Sequence, residues 1–209
     1  MATAAQQKDF ISRVVDSIRR QNDNYGLFPS VIIAQAILES NWGLSGLSAR
    51  YQNYFGMKAS NSQFSPYWIP NVSPTSQMLT GEVYNGQNVT ENATWRVYKN
   101  LDQSIADHNA LLAKAPRYRA ALSARTPKEQ IQAIKNGGYA TAPNYVDAIM
   151  SVINKYNLTQ YDNIKAQGGI DDRGEKKKTY RLLFAIGAAM LAIAVALAVF
   201  LIVKRKKLK

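Results

Sequence analysis

From Leu182 to Val203 the chain runs for 22 residues without a charge or a proline. As a helix rising ~1.5 Å per residue, this run spans about 33 Å, enough to cross a hydrocarbon core. Buried helices of soluble domains rarely lack every polar residue over such a length. Residues 182–203 are therefore predicted to form a transmembrane helix, and 204–209, opening with Lys204-Arg205-Lys206-Lys207, a basic tail. Any packed domain has to be built from the residues before the run.

Charge follows the same division. The chain carries a formal net charge of +12. Residues 161–209 hold 11 basic and 4 acidic side chains, against 15 and 10 in residues 1–160. A basic excess suggests nucleic acid, but here the charges flank an apolar run and have no aromatic residues interleaved, which fits a membrane and not a nucleic-acid partner. Five basic residues lie close upstream of the run (Arg173, Lys176, Lys177, Lys178, Arg181) and five downstream (Lys204, Arg205, Lys206, Lys207, Lys209), so the positive-inside rule gives no orientation. The first eight residues lack the apolar core of a secretory signal. Residues 161–181, with Gly168-Gly169, Asp171-Asp172 and Lys176-Lys177-Lys178, form a polar stalk.

Residues 3–160 are left as the candidate domain. There is no cysteine and a single histidine, His108, which excludes disulfides, thiolate metal sites and chemistry needing two imidazoles. No metal or organic cofactor is indicated. Phe10, Ile11, Val14, Val15 and Ile18 recur at helical spacing. Pro29 is placed to open a second helix running through Val31, Ile32, Ile33, Ala36, Ile37 and Leu38 to about Glu39. Asp102 is expected to cap a third, carrying Ile105, Leu111 and Leu112. Thr126-Pro127-Lys128-Glu129 has the form of a capping box with proline at N1, and Asn136-Gly137-Gly138 ends the helix it opens. Pro143 is expected to open the last helix, with Val146, Ile149, Ile153 and Tyr156 on one face.

One stretch departs from helical periodicity. Between Met78 and Tyr98, Asn85-Gly86 separates two extended runs, a two-residue hairpin pattern. Val89, Ala93, Trp95 and Val97 share a face of the second strand, and a turn centred on Asn85-Gly86 sets Glu82 opposite Val89. The predicted class is α+β and predominantly helical, with a cleft between the helices and one hairpin lobe.

The chemistry centres on Ile37-Leu38-Glu39-Ser40-Asn41-Trp42-Gly43, an acid at the end of an apolar helix followed by an aromatic. Burial against apolar and aromatic groups raises a glutamate's pKa, as an acid that stays protonated near neutrality requires. A glutamate at an exposed helix end is, however, usually just solvated.

The ordered motifs give this residue its context. Ile33-Ala34-Gln35-Ala36-Ile37-Leu38-Glu39-Ser40-Asn41-Trp42-Gly43 is followed by Gly46-Leu47-Ser48 and Tyr51-Gln52-Asn53-Tyr54-Phe55-Gly56-Met57-Lys58. Asn85-Gly86-Gln87, Trp95-Arg96-Val97-Tyr98, Ser104-Ile105-Ala106-Asp107-His108 and Gly137-Gly138-Tyr139-Ala140-Thr141 come next. Across nearly all of residues 3–160 the chain closely resembles the glucosaminidase family of peptidoglycan hydrolases, the bacterial autolysins and flagellar or phage wall-degrading enzymes with a lysozyme-like fold.

The resemblance implies hydrolysis of the bond following N-acetylglucosamine in peptidoglycan, with glycan strands as the partner. It assigns Glu39 as general acid, Glu82 of the hairpin lobe as its acidic partner, and Tyr139 as a cleft tyrosine implicated in catalysis. A second carboxylate serves as base in an inverting reaction or as nucleophile in a retaining one, while a third route uses the substrate's own N-acetyl oxygen. Asn53, Tyr54, Phe55, Trp95 and Tyr98 are candidate sugar contacts, with Tyr51 and Trp68 as further aromatic candidates. Aromatics in such a domain are more often core. His108, in register with Ile105 and Leu112, is read as structural. Where the family commonly has Asp, this chain has Ala142, which is expected to weaken an N-cap before Pro143. A muramidase or lytic transglycosylase, or a non-catalytic wall-binding module, is the alternative function. A single-pass membrane protein is expected, with its domain on the wall side or, alternatively, held at the inner face.

Overall fold

The computed structural model describes residues 2–21, 23–59, 64–84 and 87–164, with strand residues within 79–91 described as backbone only. The predicted transmembrane helix and basic tail lie outside the described residues, as does the stalk from residue 165 onward. Among the described residues, no helix is long and apolar enough to cross a membrane.

Helix α1 (Ala4–Arg20) opens with a capping box in which Thr3 and Gln6 satisfy each other's backbone N–H groups. It buries Phe10, Val14, Val15 and Ile18, the face predicted from periodicity. Helix α2 (Pro29–Ser40) has proline in its first turn and buries every residue from Pro29 to Ile37. Such a helix has no solvent face to offer over most of its length, so it occupies the centre of the domain. A short α3 (Gly46–Tyr51) follows, capped by Ser45. Helices α4 (Leu101–Lys114), α5 (Pro127–Asn136) and α6 (Tyr145–Lys155), with 3-10 segments at Pro116–Ser123 and Leu158–Tyr161, complete the helical part. Helix α2 packs against α1, α5, α6 and the last 3-10 turn.

Strands β1 (Thr75–Tyr84) and β2 (Gln87–Arg96) pair antiparallel, with Glu82 opposite Val89 and Tyr84 opposite Gln87, the expected register. The turn residues Asn85 and Gly86 lie outside the described residues. Ala93 and Trp95 are buried while Asn92 and Thr94 are exposed, so the alternation holds from Asn92 to Trp95 and breaks at Arg96.

Residues 57–59 run beside the end of β2, with Arg96 N–H donating to Met57 O (3.0 Å) and Ala59 N–H to Thr94 O (2.8 Å). At this root Arg96 turns inward, and Nη1 meets Asp107 Oδ2 of α4 at 2.6 Å, both side chains 1% exposed. The Arg96 Nε donates to Lys58 O (3.1 Å), its guanidinium lies over the Trp68 ring, and the Tyr98 hydroxyl donates to the same Asp107 oxygen.

Two helix starts differ from expectation. Asn100, not Asp102, caps α4, accepting from Gln103 N–H at 3.0 Å. Asp102 instead accepts two hydrogen bonds from Arg20 at 2.8 and 3.0 Å, a pairing between residues far apart in the chain that no local pattern contains. Helix α6 begins at Tyr145 with Asn144 as N-cap, so Ala142 is not a cap position, and its carbonyl accepts from Tyr145 N–H. Packing also extends beyond residue 160: Asp162 accepts from the Ser30 backbone N–H (2.8 Å) and hydroxyl (3.0 Å) at the start of α2, and Ile164 packs on the core.

Candidate active site

Glu39 occupies the last turn of α2. The helix stops immediately after it: Asn41, Trp42 and Gly43 all adopt left-handed backbone, with φ of 48°, 62° and 75°. Ser40 secures this ending, its hydroxyl donating to Ala36 O and accepting from Gly43 N–H at 2.7 Å. At Gly43 an added Cβ would come within 2.9 Å of the Phe10 ring, so the chain turns here against α1.

Glu39 is an exposed residue by surface area, yet the protein atoms gathered around its carboxyl group still desolvate it. Desolvation raises its pKa above the ordinary carboxylate value, and a hydrogen bond from Tyr145 partly offsets the shift. The Tyr145 hydroxyl donates to Glu39 Oε1 at 3.2 Å and itself accepts from Gln35 Nε2 at 3.0 Å. Trp42, expected as the aromatic beside the acid, instead packs edge-on against Tyr156 (4.9 Å between ring centres) and Phe10 (6.2 Å). The aromatic contact to Glu39 comes from α6.

Tyr139 belongs to the same cluster. Its ring lies 6.1 Å from that of Tyr145, and burial, followed by the charge of Glu39, pushes its pKa well above the ordinary phenol value. Its hydroxyl makes a long contact, 3.5 Å, to Phe55 O. Gly137 lets the preceding turn approach Tyr118, since a Cβ there would meet that ring at 2.4 Å. Glu39 and Tyr139 are thus brought together. The side chain of Glu82 lies outside the described residues.

The five candidate sugar contacts are all buried. Asn53 has its amide fully used within the fold: Nδ2 donates to Met57 O and Arg96 O, and Oδ1 accepts from Met57 N–H, each at 2.9 Å. Tyr54 packs on Phe10, with its hydroxyl tied to Gln52 and Arg13. Phe55 stacks on His108 at 4.0 Å, Trp95 donates to Met78 O, and Tyr98 is bound to Asp107. Asn53, Tyr54, Phe55, Trp95 and Tyr98, expected as sugar contacts, thus lie within the packed interior, where aromatic faces offer no stacking platform.

Sequence reasoning missed Tyr145. Its spacing to Ile149 and Ile153 puts it on the buried face of α6, and that was the available signal. Among the described residues no three His, Cys, Asp or Glu side chains converge on a metal-sized site. A groove of about 510 Å³ lies along α1, lined by residues including Gln7, Ile11, Val15, Tyr156 and Tyr161. Neither Glu39, Tyr139 nor Tyr145 lines it, so it is separate from the acid.

Comparison with known proteins gives the family to which the chain is similar. Residues 15–158 match the family described as "Glucosaminidase: Mannosyl-glycoprotein endo-beta-N-acetylglucosaminidase". The chain is 35% identical over 164 residues to exo-glucosaminidase LytG of Bacillus subtilis, covering 76% of this chain and 55% of that protein. It is 37% identical over 172 residues to a probable N-acetylmuramidase of Lactococcus lactis, covering 79% and 37% respectively. It thus spans about half or less of the length of these curated relatives. The crystal structure of the catalytic domain of the autolysin Auto from Listeria monocytogenes superposes with a TM-score of 0.64 at 32% identity, covering 78% of this chain and 90% of that one.

Proposed function

Because the chain belongs to the glucosaminidase family, we propose that it is a glycoside hydrolase of peptidoglycan, an endo-β-N-acetylglucosaminidase with Glu39 as its general acid. The observation that carries this reading is the setting of Glu39, an exposed residue at the end of an otherwise buried helix whose carboxyl accepts from the Tyr145 hydroxyl at 3.2 Å and is held above the ordinary carboxylate pKa by desolvation. Such a group holds its proton to higher pH than an ordinary glutamate and has it ready for the glycosidic oxygen as the C–O bond breaks. Glu82, carried by the hairpin, is proposed as the partner carboxylate, and Tyr139 as a cleft residue beside the acid. The register of β1 and the proximity of Tyr139 to Glu39 support these roles.

Glu39→Gln is expected to abolish lysis of cell-wall suspensions while leaving the fold and glycan binding intact. Lysis retained by that variant would sink the assignment. The lactococcal relative named as a probable N-acetylmuramidase supplies the competing reading, cleavage after N-acetylmuramic acid. Mass spectrometry of the products separates the two: N-acetylglucosamine at the new reducing ends supports the proposal, and N-acetylmuramic acid supports the competitor.

Residues 182–203 are proposed to anchor the domain as a single pass, with the domain on the wall side. The uncharged 22-residue run and its basic flanks support anchoring. The alternative is a domain held at the inner face until the membrane fails.

A further inference from the structure

Two hydrogen bonds in series end on the acid. Gln35 Nε2 donates to the Tyr145 hydroxyl oxygen at 3.0 Å, and that hydroxyl donates to Glu39 Oε1 at 3.2 Å. Gln35 precedes Glu39 by four residues on α2, so the two side chains are neighbours along the helix. Tyr145, the first residue of α6, reaches both. Gln35 is fully buried.

We propose that Tyr145, held by Gln35, is a positioning residue that fixes which oxygen of Glu39 carries the transferable proton. This rests on Glu39 being the general acid. A phenol has one proton. With an N–H of Gln35 occupying the phenol oxygen, that proton is left for Glu39, which accepts it on Oε1. The acid proton is thereby confined to Oε2, with a single direction of delivery. In the reaction the proton passes from Oε2 to the glycosidic oxygen as the C–O bond breaks, leaving Glu39 as a carboxylate. The bond from Tyr145 then has a charged acceptor and strengthens, so it favours the transition state over the ground state.

The ionisable groups coupled to Glu39 among the described residues are Tyr145 from α6 and Tyr139 from the loop after α5, and no cation contributes to its shift. Removing the Tyr145 hydroxyl takes a hydrogen bond from the charged form of Glu39, so the acid stays protonated to higher pH even as the rate falls. A loss of packing alone would not move these two quantities in opposite directions.

The test measures kcat, KM and the pH profile of kcat for Tyr145→Phe and Gln35→Met in the full chain, on soluble peptidoglycan fragments. For Tyr145→Phe, kcat is expected to fall about tenfold with KM within about twofold, and the basic limb to move up by about one pH unit. For Gln35→Met the same pattern is expected at smaller amplitude. A lower rate with an unmoved basic limb in both variants means a structural role and overturns the proposal. If Tyr145→Phe does not fold, Gln35→Met decides alone. Glu39→Gln separates the two levels: if it stays active, the acid assignment itself fails. If it is dead while Tyr145→Phe and Gln35→Met keep the wild-type profile, only the positioning role fails.

Discussion

His108 shows how far one side chain's environment departs from its sequence setting. It is fully buried, stacks on Phe55, meets the Tyr139 ring edge-on at 5.7 Å, and has no hydrogen-bond partner at Nε2 among the described residues. Burial lowers its pKa from 6.5 to about 4. The folded protein therefore holds it neutral, while the unfolded chain takes up a proton below about pH 6.5. Because its folded pKa is the lower one, its contribution is complete above the unfolded pKa and is lost as the pH falls from about 6.5 towards about 4. Over that window the loss amounts to about 3 kcal/mol. Urea unfolding should accordingly show stability falling less steeply with acidification in His108→Gln than in the wild type. Equal slopes for the two proteins would remove His108 as the source. Its place behind Tyr139 agrees with a structural role read from its register with Ile105 and Leu112. What spacing did not contain was the stacked ring that keeps it dry.

At the next scale, the attachment of the hairpin depends on a buried charge pair. The register of β1 and β2 was legible, since a two-residue turn and alternating side chains leave few other pairings. The root was not. Arg96 lies next to the inward-facing Trp95, and alternation alone would send it outwards, yet it is buried on Asp107 of α4. Asp107→Asn leaves the guanidinium buried without its counter-charge and is expected to destabilise the domain by about 3–5 kcal/mol. Denaturant unfolding measures this, and a change below 1 kcal/mol would mean that water or another group compensates Arg96. A second long-range pairing accounts for the mistaken cap of α4: Arg20 draws Asp102 into an ion pair, and Asn100 caps the helix. The partner from α1, which no local pattern contains, sets the role of Asp102.

At the scale of the whole molecule, the packed domain runs from Ala2 to Ile164. A protein ending at residue 164 is expected to hydrolyse soluble peptidoglycan fragments at the full-chain rate and to remain in the soluble fraction. The full chain is expected to sediment with membranes and to resist extraction by 1 M salt, which screens the basic tail but does not release a spanning helix. Release by salt alone would sink the proposed anchor. Five of the six described α-helices, the hairpin and the candidate acid were legible in the sequence itself; the short α3 was not. Periodicity, caps, the Asn85-Gly86 pair and the motif order are local or linear properties, and they survive without knowledge of the fold. Only the tertiary structure decided what surrounds Glu39: α6 brings Tyr145 to the acid, Trp42 turns towards Phe10 and Tyr156, and the aromatics after α3 go into the core. A raised pKa depends on which atoms from distant segments displace water from the carboxylate, and that is set by packing, not by the residues that precede and follow it.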